Sequence, residues 1–265
     1  RIGALLVNIN PAYRSNELAY AIECSELQAI FTIPSFRKSD YIAMLVELIP
    51  ELKEMKPGEL SSNRFPLLKR VVVYEPDDPD HSERLHPGLT TWQVVVDEDD
   101  QVDIEQLDQL TAALDIDDAI NIQYTSGTTG FPKAVVLSHH NILNNAWFSA
   151  LAMHFNEHDR LAIPVPFYHC FGMVLANLLC LSVGACAVIP CEHFDAGSVL
   201  KAVEQEQCTA LHGVPTMFIA KLKLPVFGKI DLPGRPAGSR PVAPGPPPLW
   251  NRVTKRSPGL KIRLA

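Results

Sequence analysis

Ile120-Asn121-Ile122-Gln123-Tyr124, then Thr125-Ser126-Gly127-Thr128-Thr129-Gly130-Phe131-Pro132-Lys133, then Ala134-Val135-Val136-Leu137 is the stretch on which the reading of this chain turns. The apolar, β-branched residues on either side predict two short strands, Ile120–Tyr124 and Ala134–Leu137. Between them lie four hydroxyl side chains, two glycines and a lysine. Glycines let backbone N–H groups approach an oxyanion closely, hydroxyls add donors, and Lys133 supplies a compact cation. This is equipment for holding a polyphosphate. It is not a Walker loop: counted from Gly127, the second glycine of G-x-x-x-x-G-K-[ST] falls on Pro132. A plain Ser/Thr/Gly turn is the competing reading, and Lys133 with the flanking strands weighs against it.

Outward from this segment the chain alternates. Strands are predicted at Leu5–Asn10, Gln28–Ile33, Val71–Tyr74, Arg160–Val165, Ala185–Ile189 and Ala210–Val214. Helices are predicted between them. One is capped by Ser15 or Asn16 and runs to Ser25; one is opened by Ser39 and covers Tyr41–Leu52. Others cover Ile104–Leu114, Ser138 to His154, Met173–Ser182 stopped by Gly184, and Ala196–Glu206, with a last one opened by Pro215. Strands separated by single helices imply parallel pairing, hence an α/β fold.

Composition narrows the class. The chain has 265 residues, 47% hydrophobic and 20% charged, which suits a folded globular protein and no fibrous or disordered one. Six cysteines with no C-x-x-C pair read as reduced thiols of a cytoplasmic protein. The net charge of −7 argues against nucleic-acid binding. That charge is divided: residues 1–220 carry 13 Lys/Arg against 29 Asp/Glu, residues 221–265 carry 10 against one. The same tail holds 9 of 22 prolines. Proline excess with like charge predicts no regular structure over 225–265, and a change of coding frame near 222–235 or a Pro-rich ligand segment would explain it. The uncharged run Cys170–Ile189 is broken by Gly172, Asn177, Ser182 and Gly184, so a buried helix and strand are expected there, not a membrane span. The first residues already read as strand, so the beginning of the chain is expected to lie inside a larger domain.

With Ser138-His139-His140-Asn141 after it, the segment Tyr124–Lys133 closely resembles the phosphate-loop signature of the AMP-forming acyl-CoA synthetase superfamily, which includes luciferases and peptide-synthetase adenylation domains. Asn10-Pro11-Ala12-Tyr13-Arg14 with Glu17-Leu18, Pro164-Val165-Pro166-Phe167-Tyr168-His169-Cys170-Phe171-Gly172, and Gly213-Val214-Pro215-Thr216-Met217-Phe218 resemble further landmarks of that family. The wording is nearest the fatty-acyl, medium-chain-type CoA ligases, and the resemblance covers about residues 1–222. It implies mostly parallel sheets with flanking helices, part of the large domain of an adenylate-forming enzyme, with 223–265 set apart as a basic tail unlike the family. It implies a fatty-acid–CoA ligase. A carboxylic acid attacks the α-phosphorus of ATP, with Mg2+, to give acyl-adenylate and pyrophosphate; CoA, the co-substrate, then displaces AMP. Thr125, Ser126, Gly127, Thr128, Thr129, Gly130 and Lys133 match the loop that handles the β- and γ-phosphates. His169 matches a residue beside the acyl and adenylate pocket and is the catalytic candidate, with Phe167 and Tyr168 shaping the pocket; its competing reading is a satisfied core histidine.

Two departures stand out. Ala134 replaces the family's glycine after the lysine. The Tyr-Gly-x-Thr-Glu segment, ribose-binding Asp and C-terminal lysine have no counterparts here, so these 265 residues alone are expected not to complete the reaction. An aryl- or amino-acid-adenylating enzyme and a non-enzymatic remnant remain as alternatives. No residue is assigned to a metal: Cys186, Cys191 and His193 lack a fourth ligand at standard spacing, and the acidic run Asp97–Asp100 with Asp103 lacks the Gly and Glu of an EF-hand. No G-x-S-x-G elbow is present.

Overall fold

The computed structural model describes residues 2–56, 58–75, 86–97, 103–125, 132–228 and 240–242. Two units divide it, residues 1–137 and 138–265.

In the first unit, strands β1 (Leu6–Asn8), β2 (Ala29–Thr32), β3 (Ser35–Phe36), β4 (Ser39–Asp40), β5 (Arg70–Val73), β6 (Thr90–Thr91), β7 (Ala119–Thr125) and β8 (Lys133–Ser138) alternate with helices α1 (Ser15–Cys24), α2 (Tyr41–Leu48), α3 (Trp92–Asp97) and α4 (Ile104–Ala112). The strands form sheets β1-β7-β8 and β2-β5-β6 and an antiparallel ribbon β3-β4. Strand β1 runs parallel to β7, and β5 runs parallel to both β2 and β6. One face of α1, carrying Leu18, Ala19 and Ile22, packs with Leu45 and Ile49 and with Val71 and Val73 of β5. Burying such side chains stabilises by about 1.5–3 kcal/mol each and is what holds the helices on their sheet.

The capping expectations need correction at two helices. Arg14, not Ser15 or Asn16, is the N-cap of α1; the Ser15 hydroxyl donates instead to Glu47 Oε2 at 2.7 Å, and Glu17 accepts the Arg14 N–H. Asp40, not Ser39, caps α2, its carboxylate accepting from Ala43 N at 2.8 Å. Helix α2 also stops at Leu48, because Pro50 opens a separate 3-10 turn, Pro50–Lys53.

In the second unit, α5 (His139–Met153), β9 (Arg160–Ala162), α6 (Cys170–Gly172), a π-turn (Met173–Leu178), α7 (Leu179–Val183), β10 (Cys186–Val188), α8 (Ala196–Gln205), β11 (Ala210–His212), α9 (Pro215–Leu222) and β12 (Arg240–Val242) follow in order. The strands make one sheet, β10-β9-β11-β12, with every neighbouring pair parallel. Alternation along the strands sends Leu161 and Ala210 to one core and Ala162 and Leu211 to another. Ser138 caps α5 as expected, and Gly184, at φ +73°, ends α7 in the left-handed conformation.

The expectation of no regular structure over 225–265 departs from the structure at two places. A helical turn spans Pro225–Gly228, and β12 pairs with β11, with Pro241 opposite Leu211. The physical reason is position: β12 is the edge of its sheet, where a proline's missing N–H costs no ladder bond on the outer side.

Candidate functional site

The phosphate-loop candidates of the first unit flank β7 and β8. The β7 residues Asn121, Ile122 and Gln123 are buried. Asn121 and Gln123 share one face, and their amides form a closed set with β1. Asn121 Nδ2 donates to the Leu6 carbonyl (2.8 Å) and to Asn8 Oδ1 (2.7 Å). Gln123 Nε2 donates to Asn8 Oδ1 and to Asn121 Oδ1, both at 3.0 Å. Buried amides so paired fix the register of β7 against β1. On the other face Tyr124 reaches the end of α1. Thr125 closes β7 and Lys133 opens β8; both side chains are exposed. Thr125 therefore sits at the C-terminal end of a strand in parallel pairing, the edge at which α/β proteins place ligands. Ser126, Gly127, Thr128, Thr129 and Gly130 lie outside the described residues.

The remaining candidate residues lie in the other unit and are described by themselves. Pro164 and Val165 are buried, and the chain emerges at Pro166 and Phe167. His169 is exposed, so it is not the satisfied core histidine of the competing reading. It is the N-cap of α6, its Nδ1 accepting the Phe171 N–H at 3.1 Å. With Nδ1 accepting, the neutral ring carries its proton on Nε2, which makes Nε2–H a donor. The turn can be this tight because residue 172 is glycine: a Cβ there would lie 2.2 Å from the Pro166 carbonyl oxygen and 2.6 Å from its carbon.

Behind that turn is a histidine the sequence reading did not single out. His212 on β11 is fully buried, tilted against Phe171 at 5.1 Å between ring centroids, and neither ring nitrogen has a hydrogen-bond partner among the described residues. Burial pushes it down to about 3. The unfolded chain binds a proton near pH 6.5 that the fold refuses until about pH 3, so stability falls as pH drops through that window. His212→Leu is expected to flatten this acid limb in thermal melts between pH 7 and 4; a limb as steep as the parent's would refute the assignment. The only sequence signal for His212 was its place in an apolar strand, where a polar residue stands out.

The AMP-binding enzyme family model matches residues 1–262. The chain belongs to the AMP-binding enzymes. The match continues across 223–262, the segment that the sequence reading set apart. Among related AMP-binding enzymes, the chain is 44% identical over 265 residues to YngI of Bacillus subtilis (strain 168), whose name assigns it provisionally to the acyl-CoA synthetases; the alignment covers 100% of this chain and 47% of YngI. It is 35% identical over 255 residues to the mitochondrial medium-chain acyl-CoA ligase ACSF2 of Danio rerio, covering 96% of this chain and 41% of that protein. The chain thus spans about half the length of these relatives. Its fold is that of the anthranilate CoA ligase AuaEII in complex with anthranoyl-AMP (TM-score 0.67, 20% identity, 99% of this chain and 45% of that one). It is likewise that of Mycobacterium smegmatis MbtA (TM-score 0.69, 21% identity, 99% and 42%). The expected architecture, parallel sheets flanked by helices as in adenylate-forming enzymes, is the one found.

Among the described residues of this AMP-binding enzyme, no group of three or more His, Cys, Asp or Glu is placed to hold a metal, and no helix is long and apolar enough to cross a membrane. The six cysteines are free thiols.

Proposed function

We propose that the protein serves ATP-dependent activation of a carboxylic acid, a fatty acid by its nearest resemblance, to an acyl-adenylate and then to a CoA thioester in the cytoplasm. The observation that carries this reading is the exposed pair Thr125 and Lys133, bracketing a hydroxyl- and glycine-rich segment at the C-terminal end of β7 in a member of the AMP-binding enzymes. Relatives named as acyl-CoA ligases support the choice of acid and thiol.

A carboxylate oxygen forms a bond to the α-phosphorus and the bond to pyrophosphate breaks. Negative charge then builds on the departing β- and γ-phosphates, where Lys133 supplies a fixed cation and Thr125 a hydroxyl donor. In the second step the CoA sulfur, as thiolate, bonds to the acyl carbon and AMP leaves. His169, with Nδ1 already engaged, has Nε2–H to offer a carboxylate oxygen of the acid. A magnesium ion would travel on the phosphate oxygens, since such ions bind with few protein ligands where a nucleotide supplies oxygens.

The test is calorimetric titration of the chain with ATP·Mg2+ and with adenosine. Lys133→Ala is expected to weaken ATP binding about tenfold, the loss of one charge-assisted contact, and to leave adenosine unchanged. In a longer acyl-CoA ligase relative, the matching lysine substitution is expected to slow ATP–pyrophosphate exchange with C6 to C16 fatty acids more than thioester formation from preformed adenylate. Equal affinity of parent and variant for ATP would remove Lys133 from the role.

A further inference from the structure

We infer that Tyr124 is a positioning residue of the phosphate site, its hydroxyl tying the strand that delivers Thr125 to the C-terminal turn of α1 through Ser25 and the Ala21 carbonyl. The inference rests on the phosphate-site reading above for its functional meaning, and on its own geometry for the tie.

Tyr124 is the last residue before Thr125, and its ring lies on the face of β7 opposite Asn121 and Gln123. The phenol oxygen is 2.7 Å from Ser25 Oγ and 3.3 Å from the Ala21 carbonyl oxygen. A phenol has one proton. The carbonyl can only accept, so the phenol donates to Ala21 and the Ser25 hydroxyl donates to the phenol oxygen. That arrangement gives a last-turn carbonyl of α1 a second partner beside the Ser25 N–H, which reaches it at 3.1 Å. Burial pushes the phenol up to about 12, so the donor persists across the physiological range.

The ring is held as well as the hydroxyl. Tyr13 and Tyr20 approach it edge-on, each at 6.4 Å between centroids, with interplanar angles of 73° and 65°. Tyr13 lies in the turn after β1, its N–H bonded to the Asn10 carbonyl at 3.0 Å. Strand β7 thus enters the 125–133 segment pinned on both faces: by amides to Asn8 on one, by Tyr124 to α1 on the other. Ser25 and Tyr13 both contact Tyr124, the residue next to Thr125, and act on β7 through it.

The bland alternative is that Tyr124 merely caps α1. The two separate cleanly. Tyr124→Phe keeps the ring and its packing and deletes the hydroxyl; Ser25→Ala deletes the partner from the helix side; Ser25→Thr restores a hydroxyl. Amide hydrogen exchange by mass spectrometry is read in the full 265-residue chain for peptides over 15–24 and 125–137, beside ATP·Mg2+ affinity. Positioning predicts that Tyr124→Phe and Ser25→Ala each speed exchange at 125–137 about fivefold, the net worth of one hydrogen bond. It also predicts ATP affinity lowered by a similar factor, no further change in the double variant, and recovery in Ser25→Thr. Faster exchange confined to 15–24, with 125–137 unchanged, overturns the inference and leaves a helix cap. A parent chain that binds no ATP overturns the phosphate-site reading instead, while the exchange contrast still decides whether the tie exists.

Discussion

Lys221→Met raises the thermal midpoint at pH 7 by several degrees. Lys221 is fully buried on α9, and its Nζ has no hydrogen-bond partner among the described residues. Its nearest compensation is the face of Phe218, 3.9 Å from Nζ to the ring centroid. A cation–π contact offsets about 2 kcal/mol when desolvated. Burial nevertheless pulls the amine down to about 7 from its ordinary 10.5. Each unit of such a shift is about 1.4 kcal/mol, so the protonated lysine costs the fold on the order of 5 kcal/mol below pH 7. The sign follows from proton counting. Between pH 7 and 10.5 the unfolded chain binds the proton and the folded chain does not, so stability rises with pH across that window. Methionine matches the length of the stem without the charge. The difference between parent and variant melts therefore isolates Lys221 from the thiols and phenols that titrate higher. It should be largest at and below pH 7 and shrink toward pH 10. A variant no more stable than the parent at pH 7 would show that Nζ finds a partner.

Gly172→Ala acts in the opposite direction and is expected to be severe. The added methyl would meet the Pro166 carbonyl oxygen at 2.2 Å and the Phe167 nitrogen at 3.0 Å, both backbone atoms with no side-chain freedom to yield. Overpacking against backbone costs about 1–3 kcal/mol and more where nothing can shift. A loss of about 3 kcal/mol corresponds to a fall of roughly 5–10 °C for a domain of this size. Because relief must come from separating α6 from the Pro166–Phe167 turn, the same change should shift the His169 ring. The His169 imidazole resonances in NMR report this. A midpoint within one degree of the parent, with unmoved His169 signals, would show that the turn has room.

Most of the fold was legible because its signals are local. Short β-branched and aromatic runs marked β2 and β5, Pro215 marked the start of α9, and Gly184 marked the end of α7. At α1 a tertiary partner overrides a local rule. Ser15 looks like a cap but is drawn to Glu47, thirty-two residues on. Helix α3, Trp92–Asp97, carries no assignment in the sequence analysis; there Trp92 stacks edge-on against Tyr74 at 5.5 Å and Phe31 at 6.2 Å. The π-turn Met173–Leu178 left no mark in sequence, since an i→i+5 ladder has no residue preference of its own to read. At the site, Thr125 and Lys133 were visible from composition alone. Tyr124 is visible in the segment but its tie is not legible there, because Ser25 lies 99 residues away. His212 was passed over for the same reason: only its neighbours make it costly.

The amide set between β1 and β7 has a consequence for how the protein is made. Its partners are up to 115 residues apart in sequence, so Leu6 and Asn8 leave the ribosome long before Asn121 and Gln123 exist. At about 5–20 residues per second that gap is roughly 6–23 s. Throughout it β1 has neither its ladder nor its amide partners, whereas β9 and β11, synthesised within about fifty residues of each other, can pair soon after they appear. Strand β1 is thus completed late. Its polar contacts then serve as a proofreading step: a register slipped by one residue would turn Asn8 away and break its bonds to Asn121 and Gln123. Nascent chains arrested before residue 119 should accordingly keep β1 open to chaperones, and those arrested beyond β7 should release it.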